Sequence, residues 1–211
     1  STKITTQLVQ QLDDADWEKR NQAIMQIDTV LAEANKRIQP KFTPGLMQNL
    51  KNRLTDSNKN LIPTTLNTLG ELASATGKAI EPQMKLLMPA IFACLGDTKA
   101  VIRAAAVQCL NRWAAEVSFD CFISFLPAAL SIPSGKADLL GWMNEHIASC
   151  DAKKISDLKS LLKPTFSACQ DKNKDVRAAA ETFAVEIAAR LTAKVVETEC
   201  QKLAPSILTN L

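Results

Sequence analysis

Apolar residues recur every three or four positions along most of the chain, the spacing of one buried face of an α-helix. Ile24, Ile27, Leu31 and Ala34 form one such stripe. Val101 and Ile102, Ala105 and Ala106, Cys109 and Leu110, then Trp113 form a second. Val176, Ala179 and Ala180, Phe183 and Ala184, then Ile187 form a third. Runs that alternate Val, Ile and aromatic residues with polar ones, the signature of strands, are missing. The 6 glycines and 9 prolines fall singly, as punctuation between helices. Asp16 stands just ahead of the first stripe, where an N-cap belongs. The pattern predicts an all-α chain.

The stripes also repeat. Residues 97–106 (Asp-Thr-Lys-Ala-Val-Ile-Arg-Ala-Ala-Ala) align without a gap on 171–180 (Asp-Lys-Asn-Lys-Asp-Val-Arg-Ala-Ala-Ala), 74 positions later. Half that separation, 37, falls on another polar turn at 134–140, opening with Ser134-Gly135-Lys136. Asp56 lies 41 residues before Asp97, and Asp14 lies 42 before Asp56. Each of these five turns is followed by one amphipathic helix and preceded by another, expected over 4–12, 42–54, 82–95, 119–131 and 155–169. A sixth pair starts near Lys194, and its second helix is expected to be incomplete at Leu211. Two helices per period of about 40 residues is the mark of HEAT or armadillo repeats, which stack because one pair cannot bury its own apolar face. The expected fold class is an α-solenoid of about six helical pairs spanning 1–211 as a single domain. In such a stack the turn inside each pair emerges at one edge, giving a ridge roughly 40–50 Å long at ordinary helix spacing.

Charge is nearly balanced, 25 Lys+Arg against 22 Asp+Glu for a net +3, too mild to argue for nucleic acid. The longest near-continuous apolar stretch, 121–132, is far short of the roughly 20 residues a membrane helix needs. The chain opens Ser1-Thr2-Lys3 with no secretory signal and no initiator Met, as a domain within a longer protein would. Six cysteines are scattered singly without metal-ligand spacing, which reads as reduced, mostly buried thiols in an intracellular protein. No glycine-rich phosphate loop is present, and His146, the only histidine, has no triad partner in sequence context. An enzyme, a cofactor and a metal are therefore not expected.

Candidate chemistry is concentrated in the turns. Every turn supplies a lysine: Lys19, Lys59, Lys99, Lys136, and Lys172 with Lys174. Each taken singly reads as solvated surface, and only their recurrence along one edge suggests docking to an acidic partner. Trp17 opens the second helix; it shares heptad phase with Ile24 and Leu31, so it either closes the core or projects from the edge. Trp113 and Trp142 read as core. Arg103 and Arg177 occupy matching repeat positions and read as rungs to an Asp of a neighbouring turn, with a partner contact left open for Arg177.

These segments together resemble a TOG domain of the ch-TOG/Minispindles family over essentially the whole chain. The resemblance rests on Asp16-Trp17-Glu18-Lys19-Arg20, Leu54-Thr-Asp-Ser-Asn-Lys-Asn60, residues 96–106, Leu139-Leu-Gly-Trp142, and Asp171-Lys-Asn-Lys-Asp-Val-Arg177. The second-turn, third-turn and Leu-Leu-Gly-Trp segments are most similar to the fourth TOG of animal arrays. The resemblance implies six HEAT repeats that bind αβ-tubulin through the intra-repeat turns. It implies tubulin contacts at Trp17, Lys59, Lys99, Lys136, Lys172, Lys174 and Arg177. It further implies a monomeric domain of a multi-TOG chain on cytoplasmic microtubules, spindle and centrosome, with no nucleic acid or membrane partner. The competing expectation is a HEAT scaffold that binds a peptide on a helical face and leaves the turns idle.

Overall fold

A computed structural model describes residues 4–33 and 42–201. Ala34 and the second helix of the sixth pair fall outside the described residues. All regular elements among those described are helical. The chain divides into two compact units, Ser1–Val117 and Ser118–Leu211.

The first unit holds three helical pairs: α1 (Thr6–Gln11) with α2 (Trp17–Glu33), α3 (Leu46–Arg53) with α4 (Leu61–Thr76), and α5 (Met84–Cys94) with α6 (Ala100–Glu116). First helices pack on first helices and second on second, so the unit has two layers with the core between them. Leu12, Ile24, Leu50, Leu69, Ile91 and Trp113 are all fully buried there. Repeat stacking therefore does here what no single pair could do. The α4–α6 contact is the most extensive. The Trp113 indole N–H donates to the Leu69 carbonyl at 3.2 Å. Arg112 lies across Gly70, where an added Cβ would come within 2.8 Å of its Cδ, and reaches Glu71 at 3.0 Å. A glycine inside a helix costs about 1 kcal/mol relative to alanine; here it lets the two helices close.

The second unit holds α7 (Leu126–Leu130), α8 (Lys136–His146), α9 (Lys159–Ala168), α10 (Lys174–Arg190) and α11 (Ala193–Cys200). Its first helices are shorter than the periodicity predicts. The helix expected over 119–131 is a 3-10 turn at Phe119–Phe122 followed by α7, with Pro127 in the first turn of α7, where its missing N–H costs no helical hydrogen bond. The helix expected over 155–169 begins as a 3-10 segment at Ala152–Leu158, capped by the Asp151 side chain on the Lys153 N–H. In the first unit, the start expected at 82 likewise moves to Met84, behind the 3-10 segment Gly77–Gln83. Cross-links fix these turns: the Phe119 N–H donates to Ser149 Oγ and the Asp151 N–H to the Asp120 carboxylate, both at 3.2 Å.

An aromatic cluster sits within this core, among buried aliphatic side chains such as Leu126, Leu140, Leu161 and Ile187. Trp142 meets Phe122 edge-on with ring centres 5.0 Å apart and Phe119 at 6.0 Å, and Phe119 meets Phe183 at 6.3 Å. His146 stacks against Trp142 at 5.1 Å, and burial lowers its pKa. Trp113 and Trp142 are thus core residues, as the stripes predict. All six cysteines are free thiols, but only Cys94 and Cys109 are buried; the other four are half-buried, against the expectation of mostly buried thiols. Cys169 and Cys200 sit at helix ends, and Cys121 and Cys150 in or beside 3-10 segments. Burial pushes the Cys94 thiol up to about 12, so it is protonated and unreactive.

Candidate functional site

Four of the five turns are built by one local device. An aspartate at the start of the turn accepts the N–H two residues on: Asp14 from Asp16, Asp56 from Asn58, Asp97 from Lys99, and Asp171 from Asn173, at 2.8–3.0 Å. This Asx turn reverses the chain between two helices without help from the core. Three turns repeat the device one step later: Asp16 accepts from Glu18, Asn58 from Asn60, and Asn173 from Asp175. Asp16 therefore caps the start of α2 as the sequence predicts. The third turn departs from this pattern. Lys99 occupies the cap position of α6 in the same extended backbone as Asn173, and its side chain makes no cap hydrogen bond.

Six residues after the opening aspartate, an arginine folds back onto the same turn. Arg20 Nη1 donates to the carbonyls of Asp14 and Ala15, Arg103 to those of Asp97 and Thr98, and Arg177 to those of Asp171 and Lys172, at 2.7–3.1 Å. Arg177 thus clamps its own turn. In the second turn the same position is Ile62, which is buried.

Charged rungs tie consecutive turns within each unit. Arg20 also grips Asp56 through Nε and Nη2, both at 2.8 Å, with side chains only 7% and 1% exposed. Arg53 adds a bond to Asp56 at 2.9 Å and another to Asp13 at 3.0 Å. Burial raises the Asp56 pKa, but the Arg20 hydrogen bonds, the Asn58 N–H and the charges of Arg20 and Arg53 outweigh it and leave the carboxyl below its usual range. Lys59 bonds Asp97 at 2.8 Å in the same unit; in the second unit Lys136 bonds Asp171 at 2.9 Å. Hydrogen bonds from these lysines and from backbone N–H groups hold Asp97 and Asp171 below the ordinary carboxylate pKa.

The sequence candidates therefore fall into three groups. Trp17, at the first residue of α2, is 46% exposed and projects from the turn, unlike the buried Trp113 and Trp142. Lys99, Lys172 and Lys174 are exposed, and no described residue forms an ion pair with them. Lys59 and Lys136 are engaged with the next turn's aspartate, and Arg177 with its own turn's carbonyls. The inter-turn rung Arg20–Asp56–Arg53 was not among the predicted residues. The six-residue Asp-to-Arg spacing, shared by three of the turns, marks the clamp on the arginine's own turn and does not point to Asp56 or Arg53.

The family described as "XMAP215/Dis1/CLASP, TOG domain" matches residues 5–211. Protein MOR1 of Oryza sativa subsp. japonica is 38% identical over 191 residues, which is 89% of this chain and 10% of that protein. The chain thus spans about a tenth of the length of this relative. A chain solved in work on microtubule plus-end tracking by XMAP215, CLIP-170 and EB1 superposes with a TM-score of 0.77 at 16% identity, covering 98% of this chain and 88% of its own. One from work on TOG–tubulin binding specificity in microtubule dynamics and mitotic spindle formation superposes with 0.70 at 15% identity, covering 98% and 79%. The family match over nearly the whole chain, the identity to this relative and the shared fold agree, and the chain belongs to the XMAP215/Dis1/CLASP TOG-domain family.

Proposed function

We propose that this domain is a tubulin-binding module of a microtubule-associated regulator, docking αβ-tubulin through its intra-pair turns to promote microtubule polymerisation and dynamics. The observation that carries the reading is Trp17: a large aromatic left 46% exposed on a turn that is otherwise rigidly built. An exposed tryptophan on a fixed scaffold is the kind of residue that becomes a binding anchor, since it buries much area at little entropy cost. Work on TOG–tubulin binding specificity concerns a chain of the same fold, which supports tubulin as the partner.

Lys99 supports the reading independently. An asparagine or aspartate there would cap α6 and add about 1 kcal/mol of stability, and a cation at a helix N-terminus is locally unfavourable. A residue that the fold does not favour, placed on an exposed turn, fits a role in docking. Lys172 and Lys174 would add charge-assisted contacts. Lys59, Lys136 and Arg177 would touch tubulin only with the outer faces of side chains that already hold the turns. We further assign the domain to the position of a fourth TOG in an array, on the strength of the 54–60, 96–106 and 139–142 segments. Its place in the cell would be the cytoplasmic microtubule cytoskeleton, including spindle and centrosome.

The test is co-elution of the purified chain with αβ-tubulin at low salt. Wild type should form a complex that Trp17→Glu loses; an unchanged complex with the variant folded would remove Trp17 from the interface.

A further inference from the structure

α2 departs from the other second helices along one line of its surface. Counting from the aspartate that opens each Asx turn, Trp17 lies three positions on, where the second, third and fifth pairs carry Lys59, Ala100 and Lys174. Met25 lies eleven positions on, where the same pairs carry Asn67, Gln108 and Thr182. All four residues at that later position are exposed, and in those three pairs the residue is polar. The repeat therefore does not call for an apolar side chain there, yet the first pair presents Met25, 57% exposed. Both departures fall on the helix that carries the exposed indole.

Trp17, Asn21, Met25 and Thr29 follow one another at i, i+4 spacing and so form one ridge of α2, with Trp17 and Met25 about 12 Å apart along the axis. The ridge itself carries no charge. The Asn21 amide donates to Met25 Sδ at 3.7 Å, which orients the thioether, and the Thr29 hydroxyl is spent on the Met25 carbonyl at 3.0 Å. Charges near it are placed to the side or engaged. Glu18 and Lys19 border it only at the turn, where Lys19 pairs with Asp14 at 3.5 Å, and Glu33 ends the helix. Asp28 is turned to α4, where the Thr68 hydroxyl donates to it at 2.7 Å. Arg112 occupies Asn67 and Glu71 of α4 at 2.9 and 3.0 Å. The residues flanking Met25 on its outer side, Gln22 and Gln26, are neutral.

We propose that the docking surface runs from the turn edge down this ridge of α2, with Met25 as a second apolar anchor seated on an uncharged, apolar helix surface of the same tubulin subunit that holds Trp17. The inference rests on the tubulin reading and deepens it. Continuity names the occupant: a partner surface that covers the indole and continues for two helical turns along α2 lies over Met25 as well. A ridge of i, i+4 side chains packs into the groove of a facing helix. A thioether adapts to the shape it meets there. A charged partner segment would gain nothing from this ridge and would lose its hydration against Met25.

The test is titration of αβ-tubulin with the 211-residue chain at low salt, for wild type, Trp17→Glu, Met25→Glu, Met25→Gln and Gln26→Glu, each checked for folding by circular dichroism. Met25→Glu should weaken binding about tenfold or more, because it removes a buried thioether and places a charge in an apolar contact. Met25→Gln, which restores the polar type found in the other pairs, should weaken it less but measurably. Gln26→Glu adds the same charge to an exposed position of α2 off the ridge and should change affinity by less than about twofold. If wild type forms no complex, the tubulin reading fails and this inference with it. If Trp17→Glu loses the complex while Met25→Glu keeps wild-type affinity, this inference alone fails. Equal losses from Met25→Glu and Gln26→Glu would overturn it by reducing the effect to added charge. Self-association of the chain that Met25→Glu abolishes would overturn it by assigning the ridge to a second copy.

Discussion

Asp56 in the first unit and Asp171 in the second open equivalent turns with the same Asx geometry, yet they are held differently. Asp56 is closed off from water by Arg20, Arg53 and the Asn58 N–H. Asp171 meets only Lys136 and the Asn173 N–H at a part-exposed site. The cores beneath differ too. Both units bury many aliphatic side chains; the first packs them around Trp113, and the second adds the cluster of Phe119, Phe122, Trp142 and Phe183. Turn shape is thus set by backbone and local side chains, while the ionic rung that ties one turn to the next can be buried, as at Asp56, or part-exposed, as at Asp171.

The comparison can be broken from either side. The largest effect is expected for Trp142→Ala, which removes the hub of the aromatic cluster and should cost about 3–5 kcal/mol in urea unfolding. Hydrogen exchange should then quicken in α8 and α10. Asp56→Ala should cost about 3 kcal/mol, because it strands the buried Arg20 and leaves Arg53 half-satisfied, with exchange quickening in α2 and α4 instead. A loss below 1 kcal/mol would mean that the rung is replaceable by water. Lys99→Asn should stabilise by about 1 kcal/mol by restoring the α6 cap, while weakening tubulin binding. Stabilisation without loss of binding would remove Lys99 from the docking set. Lys59→Ala and Lys136→Ala should each cost under about 1 kcal/mol, as expected for part-exposed pairs. Lys136, at 22% exposure against 45% for Lys59, should show the larger change.

Acid gives the smallest and most diagnostic difference. The Asp56 pKa is lower in the folded chain than the roughly 3.9 of an unfolded aspartate. Its contribution is therefore complete above about pH 4 and is lost as pH falls through the lower folded value. Asp56→Asn should flatten the stability profile below pH 4 and leave its shape unchanged between pH 5 and 8. A wild-type profile already flat there would contradict the ionic rung.

Helix type and pairing were legible because 3.6-residue stripes and a 36–42-residue recurrence are local or near-local signals. Trp113 and Ile24 could be placed in the core from spacing alone. Trp17 could not, since its phase with Ile24 and Leu31 suits a core residue; its exposure follows from lying at the very start of α2, beyond the last core contact. The 3-10 segments were hidden because Pro127 and Gly77 show that a helix is interrupted without showing how far the interruption extends. Which lysines are engaged was also illegible. Lys59–Asp97 and Lys136–Asp171 join residues 38 and 35 positions apart, and nothing in either turn distinguishes them from Lys99.

The central claim is that the turn edge, anchored by Trp17, binds tubulin while the rungs only shape it. Titration of αβ-tubulin with wild type, Trp17→Glu and Lys59→Ala, each checked by thermal melting, tests it most directly. The account expects Trp17→Glu to lose binding by a hundredfold or so with an unchanged melting temperature, as for an interface anchor, and Lys59→Ala to lose at most about fivefold. Equal affinity for wild type and Trp17→Glu, or a greater loss from Lys59→Ala, would contradict it.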